Sequence, residues 1–491
     1  MLELATVSTD AAVLEPACGE GVFLEVLQQK GFNQITAFEI DTQLAQNYAY
    51  VMRQSFVSTQ VSQRFDLVIG NPPYIGWKKL SGYLKEELEQ SQLWQRYCNG
   101  LCDYLYIFIL KSIELLKPGG ELIFICPEYW LNTTHSQGLR NYMMANGYFE
   151  CIYHFSEAPI FEQARISTIV FKYVKSSHSS KPLIAVKRYQ ARQALTTQIL
   201  DGLRNNKLET PDIEVFEPPQ FEQNQKWLLV EPSVIQGLQK FESTCQSTIG
   251  EECDIAHGLV SGLEKAFRLP DDLPLNQLEK EHLLSVVKGK GLEPFRHTQV
   301  TSCIFLNEVE TEATLKDNFP NFYQHLQPFK TALENRYQYK RSIPYWHWVF
   351  LRSFQQFNQA IPRIFVPVKE RITHKDYFRF AGVPAGLFPT QDLIALFPKA
   401  TTKESLWYIL AFLNSPAVFE WYKYNGIVKG GVVEFSERPL ASIPFRTIDW
   451  ENLVEVALHQ QITDACKHYV ASGEVHWRTK ITATLQQLLE E

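Results

Sequence analysis

What this chain has little of narrows its possibilities first. It has no CxxC pair. Its nine cysteines are spread over 491 residues, and the closest two, Cys98 and Cys102, are followed by no histidine at zinc-finger spacing. Cysteines scattered in this way fit reduced thiols in a cytoplasmic protein. They argue against a disulfide scaffold and against a structural metal. No apolar run approaches the roughly 20 residues of a membrane span. The first ten residues, Met1 to Asp10, have neither a basic start nor an apolar stretch, so no signal peptide and no membrane partner are expected. An excess of positive charge is also missing: 47 Lys and Arg stand against 54 Asp and Glu, a formal net charge of −7. A polyanionic ligand would have to be met by a local basic surface. Otherwise, 45% hydrophobic and 21% charged residues describe an ordinary globular chain with room for two or three domains.

The informative stretches lie in the first third. Asp66-Leu-Val-Ile-Gly-Asn-Pro-Pro-Tyr-Ile-Gly-Trp77 reads as a short buried strand with a hard stop. Two prolines cannot continue a ladder, so the backbone leaves the sheet rigidly at Asn71. A side-chain amide, a carbonyl and the ring of Tyr74 are thereby held at fixed points, suited to gripping a planar amino group. Upstream, Val13-Leu-Glu-Pro-Ala-Cys-Gly-Glu-Gly-Val-Phe-Leu24 is a strand, an acid, a glycine-bearing turn and a helix. Gly19 and Gly21 permit close approach of a ligand. An acid in that loop suits a cationic group better than a pyrophosphate. Gln34 to Asp41 follows as a second strand ending in Glu39 and Asp41, about where doubly wound folds place an acid on ribose hydroxyls. Cys102 to Gly120 reads as an amphipathic helix ended by Pro-Gly-Gly, and Glu121 to Cys126 as the next strand. Phe155 to Lys175 reads as a hairpin, a loop carrying Phe161 and then a strand from Ile166 to Tyr173. These elements predict a parallel sheet with its ligand at the carboxyl edge.

The second half is less periodic and more aromatic. From Arg336 to Phe380 there are nine Lys or Arg and only two acids, interleaved with Tyr337, Tyr339, Tyr345, Trp346, Trp348, Phe350, Phe354 and Phe357. Basic groups among aromatics suit phosphate and base contacts. The last 40 residues read as helices.

LEPACGEG, the FEID strand end and NPPY, in that order and spacing, resemble the S-adenosylmethionine-dependent methyltransferases of exocyclic amino groups, and among these the TaqI-like (gamma-class) N6-adenine DNA methyltransferases. The likeness is strong over residues 12–175 and loose over 255–445. It implies an α/β, Rossmann-like catalytic domain over 1–235 and a mixed α+β target-recognition domain over 236–491. It implies methyl transfer to N6 of a flipped adenine in double-stranded DNA by a monomer, with any paired restriction endonuclease a separate polypeptide. Carried over by position, Asn71, Pro72, Tyr74 and Phe161 would hold the base. Glu15, Ala17, Gly19, Gly21, Glu39, Ile40, Ser55, Pro73 and Phe108 would line the S-adenosylmethionine site. Lys288 and Lys290, in a GKGLEP segment, and Lys369 and Arg371, in FVPVKERI, would face DNA. NPPY also serves enzymes that methylate RNA or the glutamine amide of proteins. Two departures stand out. Only twelve residues precede Val13, where the family carries a further helix. Ser55 stands where the family has an acid for the cofactor's adenine amino group. They imply weakened cofactor binding, with a DNA-binding remnant as the limiting case.

Overall fold

The computed structural model describes residues 1–156, 158–160, 167–177, 184–191, 193–205, 212–373, 375–429 and 431–490. It divides into two compact units, Met1–Gln236 and Gly237–Glu491.

The first unit is built on a nine-stranded sheet. Its strands are β1 (Ala12–Glu15), β2 (Gln34–Phe38), β3 (Val51–Met52), β4 (Phe65–Gly70), β5 (Leu116–Pro127), β6 (Gly147–His154), β7 (Thr168–Lys175), β8 (Ala185–Tyr189) and β9 (Ile213–Phe216). The spatial order is β3-β2-β1-β4-β5-β7-β6-β8-β9, with β7 antiparallel to both neighbours. From β1 the chain winds outward one way through β2 and β3, then returns to build the other way through β4 and β5. The order reverses between β1 and β4, and the crevice outside the carboxyl ends of strands at such a switch point is where open α/β sheets bind ligands.

Helices cover both faces, so these strands are apolar without alternation. Leu14, Val68 and Phe124 pack into one cluster with the helix Leu105–Leu115, and Val13, Leu67, Ile69 and Ile123 into another with Leu27. Residues at the chain's start, among them Met1, Leu2 and Leu4, pack on this second face, and Thr6 donates to Glu121 of β5.

Two elements differ from the sequence reading. The helix before β5 is shorter, and it is buried nearly all round rather than amphipathic, because the helices Gln92–Tyr97 and Gln137–Asn146 pack on it in addition to the sheet. Strand β5 starts earlier than expected: Phe65 pairs with Leu116 and Leu67 with Glu121, which leaves Lys117 to Gly120 as a bulge.

Among the described residues, the second unit holds a six-stranded sheet, two three-stranded sheets and a two-stranded one. It ends in the helices Leu453–Ser472 and Val475–Glu490. The stretch FVPVKERI, read as one strand, is two. Arg363–Pro367 is central in the six-stranded sheet, while Lys369–Arg371 belongs to a separate three-stranded one.

Candidate functional site

The switch point brings three loops together. Glu15 is the last residue of β1 and Asn71 the first after β4. A Cβ built on Gly70 would lie 3.6 Å from Glu15 Cγ, so the two strand ends are packed side by side. The loop after β1 is tied to the end of β2. Cys18 N donates to Phe38 O (2.9 Å) and Gly19 N to Glu39 Oε2 (2.8 Å), while Glu39 Oε1 accepts from Asp41 N (2.9 Å). Glu39 thus shapes the loop, each carboxylate oxygen accepting from one backbone N–H.

Two buried acceptors at this edge have no partner among the described residues, Glu15 Oε2 and Asn71 Oδ1. Burying a polar atom without a hydrogen bond costs about 1–3 kcal/mol, which is tolerated where a ligand supplies the donor. Burial, and then the charge of nearby Glu39, pushes Glu15 up to about 8. Each is relieved by a cationic ligand group.

Gly21 begins the helix Val22–Gln29 at φ +94°, and a Cβ there would stand 2.5 Å from the Tyr48 ring. Gly21→Ala should therefore cost about 1–3 kcal/mol from the backbone conformation alone, with the Tyr48 clash added. We expect a lowered melting temperature and at least tenfold weaker binding of any ligand seated on the loop, read by calorimetry. Unchanged affinity would separate this turn from the site.

The turn after Asn71 is fastened from outside. Tyr104 N donates to Ile75 O (3.0 Å), and Gly76 bridges to Asp103. The Asp103 carboxylate accepts from Leu105 N (3.0 Å) and also bonds the Tyr129 side chain and the Ile75 backbone. Burial raises its pKa despite these bonds. Tyr74 is half-buried beside Cys126 at the end of β5; burial and then that thiol raise its phenol. Asp103 and Tyr129 were missed from the sequence, because nothing in CDYLY or PEYW signals that the two side chains meet beneath the NPPY turn.

Other expected residues fall as follows. Ala17 and Pro73 are half-buried at the same edge, and Ile40, just beyond β2, is 50% exposed. Ser55 is buried; its Oγ accepts from Val57 N (3.2 Å) and bonds Tyr104. Lys111 donates to the carbonyls of Phe56, Val57 and Thr59, which fixes this loop against the helix. Phe108 is 4% exposed, with its ring against Phe56 and Tyr104. Phe161 lies outside the described residues. The stem of its loop is nonetheless held by a group that sequence reading did not find. Arg188 Nε donates to His154 Nδ1 (3.0 Å), and His154 Nε2 faces Glu128 Oε2 (2.7 Å) and Ser167 Oγ (3.1 Å).

In the second unit, Lys288 is paired with Glu264 and Lys369 with Glu434, whereas Lys290 and Arg371 are exposed. The two segments meet at Asp392: its Oδ2 accepts from Gly289 N (2.8 Å) and its carbonyl from Val368 N (2.8 Å). The basic and aromatic segment needs correction as a surface. Tyr345, Trp346, Trp348 and Phe357 are core residues. Arg336 and Arg363 are spent on backbone carbonyls, and Arg379 on Glu370 and the carbonyls of Gly289 and Leu292. Composition cannot separate a ring that packs inward from one that faces a ligand.

The chain resembles known proteins along nearly its whole length. Residues 22–161 match the model of the Eco57I restriction-modification methylase family. The type II methyltransferase M.HindII of Haemophilus influenzae is 40% identical over 99% of this chain and 95% of its own, and M.HincII of the same species is 38% identical over the same shares. Among solved structures, the Type IIL restriction-modification enzyme MmeI in complex with DNA superposes with a TM-score of 0.61 over 98% of this chain and 70% of that one. At 11% identity this is a likeness of fold.

Proposed function

The chain belongs to the type II methyltransferases of restriction-modification systems, and from that membership we propose that it transfers a methyl group from S-adenosylmethionine to N6 of an adenine flipped out of double-stranded DNA. One observation supports the reading: Glu15 Oε2 and Asn71 Oδ1, two buried acceptors without a partner among the described residues, belong to adjoining strand ends at the switch point of the sheet.

The donor set fits S-adenosylmethionine. Glu15 would face the cationic methionine end, Glu39 the ribose hydroxyls, and Ile40 with Pro73 the apolar surface of the adenine. When bound, the cofactor supplies an electrophilic methyl group on a sulfonium. Ser55 is already engaged by Val57 and Tyr104, so it offers the cofactor little and affinity should be modest.

The exocyclic amine of adenine is a poor nucleophile because its lone pair is delocalised into the ring. Asn71 Oδ1 would accept one amino hydrogen and the Pro72 carbonyl the other, which favours a pyramidal nitrogen with a localised lone pair. Tyr74 would stack on the extruded base, and Phe161 would cover its other face. The chain's part is positioning and electrostatic preorganisation, with no general base required before transfer. Asp103 and Tyr129 would act through the turn they hold.

We further propose a monomer acting in the cytoplasm beside a separate endonuclease. No helix among the described residues is long and apolar enough to cross a membrane. The test is incubation with genomic DNA and S-adenosylmethionine, followed by mapping of modified bases. N6-methyladenine at one short sequence is the expected result. Label confined to cytosine, RNA or protein would overturn the reading.

A further inference from the structure

The second unit carries a small exposed element that the family resemblance did not single out. Between Asn335 and Lys369 there is no acidic residue, while Arg336, Lys340, Arg341, Arg352 and Arg363 fall within it. The segment 337–343 stands out as a tip. Arg336 anchors its base by donating to the carbonyls of Ser261 (2.8 Å), Pro344 (3.2 Å) and His347 (2.5 Å). Gln338 closes the tip, its Oε1 accepting from Ile343 N (2.9 Å) and its carbonyl from Arg341 N (3.1 Å).

Two successive non-glycine residues, Tyr339 (φ +54°) and Lys340 (φ +60°), hold left-handed backbone at the turn. Each such residue costs on the order of 1–3 kcal/mol, and strain of this kind collects at ligand clamps. Beside this turn Arg341 Nη2 donates to Val349 O (3.2 Å), and the exposed rings lie around it. Tyr337 is 72% exposed. Its ring lies 4.7 Å from that of Tyr339, which in turn lies 5.3 Å from Phe350. The guanidinium groups of Arg341 and Arg352 stand 5.3 and 4.9 Å from the Phe350 ring. Among the described residues, Lys340, Arg341 and Arg352 have no carboxylate partner. Elsewhere in the unit Lys288, Lys330, Lys369 and Arg379 are all paired with acids.

We propose that this tip is a clamp on the DNA backbone, with Lys340, Arg341 and Arg352 contacting phosphates and Tyr337 wedged against the adjoining sugar or base edge. The inference deepens the proposed function and rests on it. Arginines held over a ring are preorganised for phosphate oxygens. An exposed tyrosine beside them gives a stacking or groove-edge contact that a solvated lysine patch lacks. Such contacts add affinity without sequence readout.

Lys340→Ala/Arg341→Ala and Tyr337→Ala are the informative variants, with Lys316→Ala on the exposed helix Glu312–Asn318 as control. Fluorescence anisotropy on a labelled 30-bp duplex is followed from 50 to 200 mM KCl. Each lost phosphate contact lowers the slope of log K against log salt by about 0.9. The double variant should lose about 1.8 of slope and at least tenfold in affinity. Tyr337→Ala should lose affinity at unchanged slope. The control, the melting temperatures and S-adenosylmethionine binding should match the parent protein. If the parent protein methylates duplex DNA and the double variant binds and methylates equally well, the clamp is refuted while the function stands. If the parent protein methylates no duplex DNA, the functional reading itself fails. Loss of binding to phosphatidylserine vesicles with DNA binding intact would also overturn the clamp.

Discussion

Asn71→Ala should lower methyl transfer by a factor of about 10³, the scale on which removal of one preorganised polar group acts in other enzymes. Duplex binding should stay within about twofold. Such a selective loss follows from what Asn71 does not do in the folded chain. Its Oδ1 is buried and bonds no described residue, so truncation removes no internal hydrogen bond made by that oxygen. The backbone of the turn is held independently, by Tyr104 N on Ile75 O and by Asp103. The loss should thus appear in kcat under saturating cofactor, with little change in melting temperature. Turnover within about tenfold of the parent protein would remove Asn71 from the chemistry. Asn71→Asp is the sharper companion. It keeps the shape but adds a carboxyl group to an edge that already holds Glu15 and Glu39, so it should transfer slowly and weaken the cofactor as well.

Glu15→Gln should weaken S-adenosylmethionine binding about 100-fold near pH 8 and flatten its pH dependence. Glu15 sits at about 8 in the free protein and must ionise to meet a cation. In the parent protein, affinity should therefore rise with pH, by up to about tenfold per unit, and level off above pH 8. Cofactor binding near neutrality should release a proton, measurable as a dependence of the calorimetric heat on buffer ionisation enthalpy. Glutamine abolishes the release. The same substitution should stabilise the empty protein. A folded-state pKa raised from 4.5 to about 8 means the carboxyl's contribution is fully present below pH 4.5 and lost as pH rises through 8. Glu15→Gln should thus melt later than the parent protein at pH 8 and alike near pH 4.5. A variant that melts earlier at pH 8, or binds cofactor as the parent does, would contradict the assignment.

The strand ends that meet at the switch point were legible because their signals are local. A run such as DLVIGNPPY states where a strand stops, and LEPACGEG and FEID each fix an acid at a strand end. Pairing rules for a parallel sheet then bring those ends together. What the sequence did not reveal depends on distant partners. Asp103 matters through Ile75 and Tyr129, and His154 through Glu128, Ser167 and Arg188. Tyr345, Trp346 and Trp348 looked like ligand-facing rings because they adjoin basic residues, yet Trp346 Nε1 donates to Val309 O and Trp348 Nε1 to Ile304 O inside the core. Tyr337, nine residues before Trp346, faces outward. The difference lies in which backbone carbonyls each ring meets, which composition does not encode.

The fastening of the NPPY turn to residues 103 and 104 has a genetic corollary. Leu105, the first residue of the buried helix, follows that fastening directly, so the helix and the turn share one mechanical fate. Small losses of packing at Ile109 or Ile113 would reach Asn71 and Pro72 as positional error before they unfold the domain. A selection for heat-sensitive alleles should accordingly collect substitutions along this helix, remote from the reacting atoms. Their defects should be corrected by cooling or by second-site changes that refill the same core.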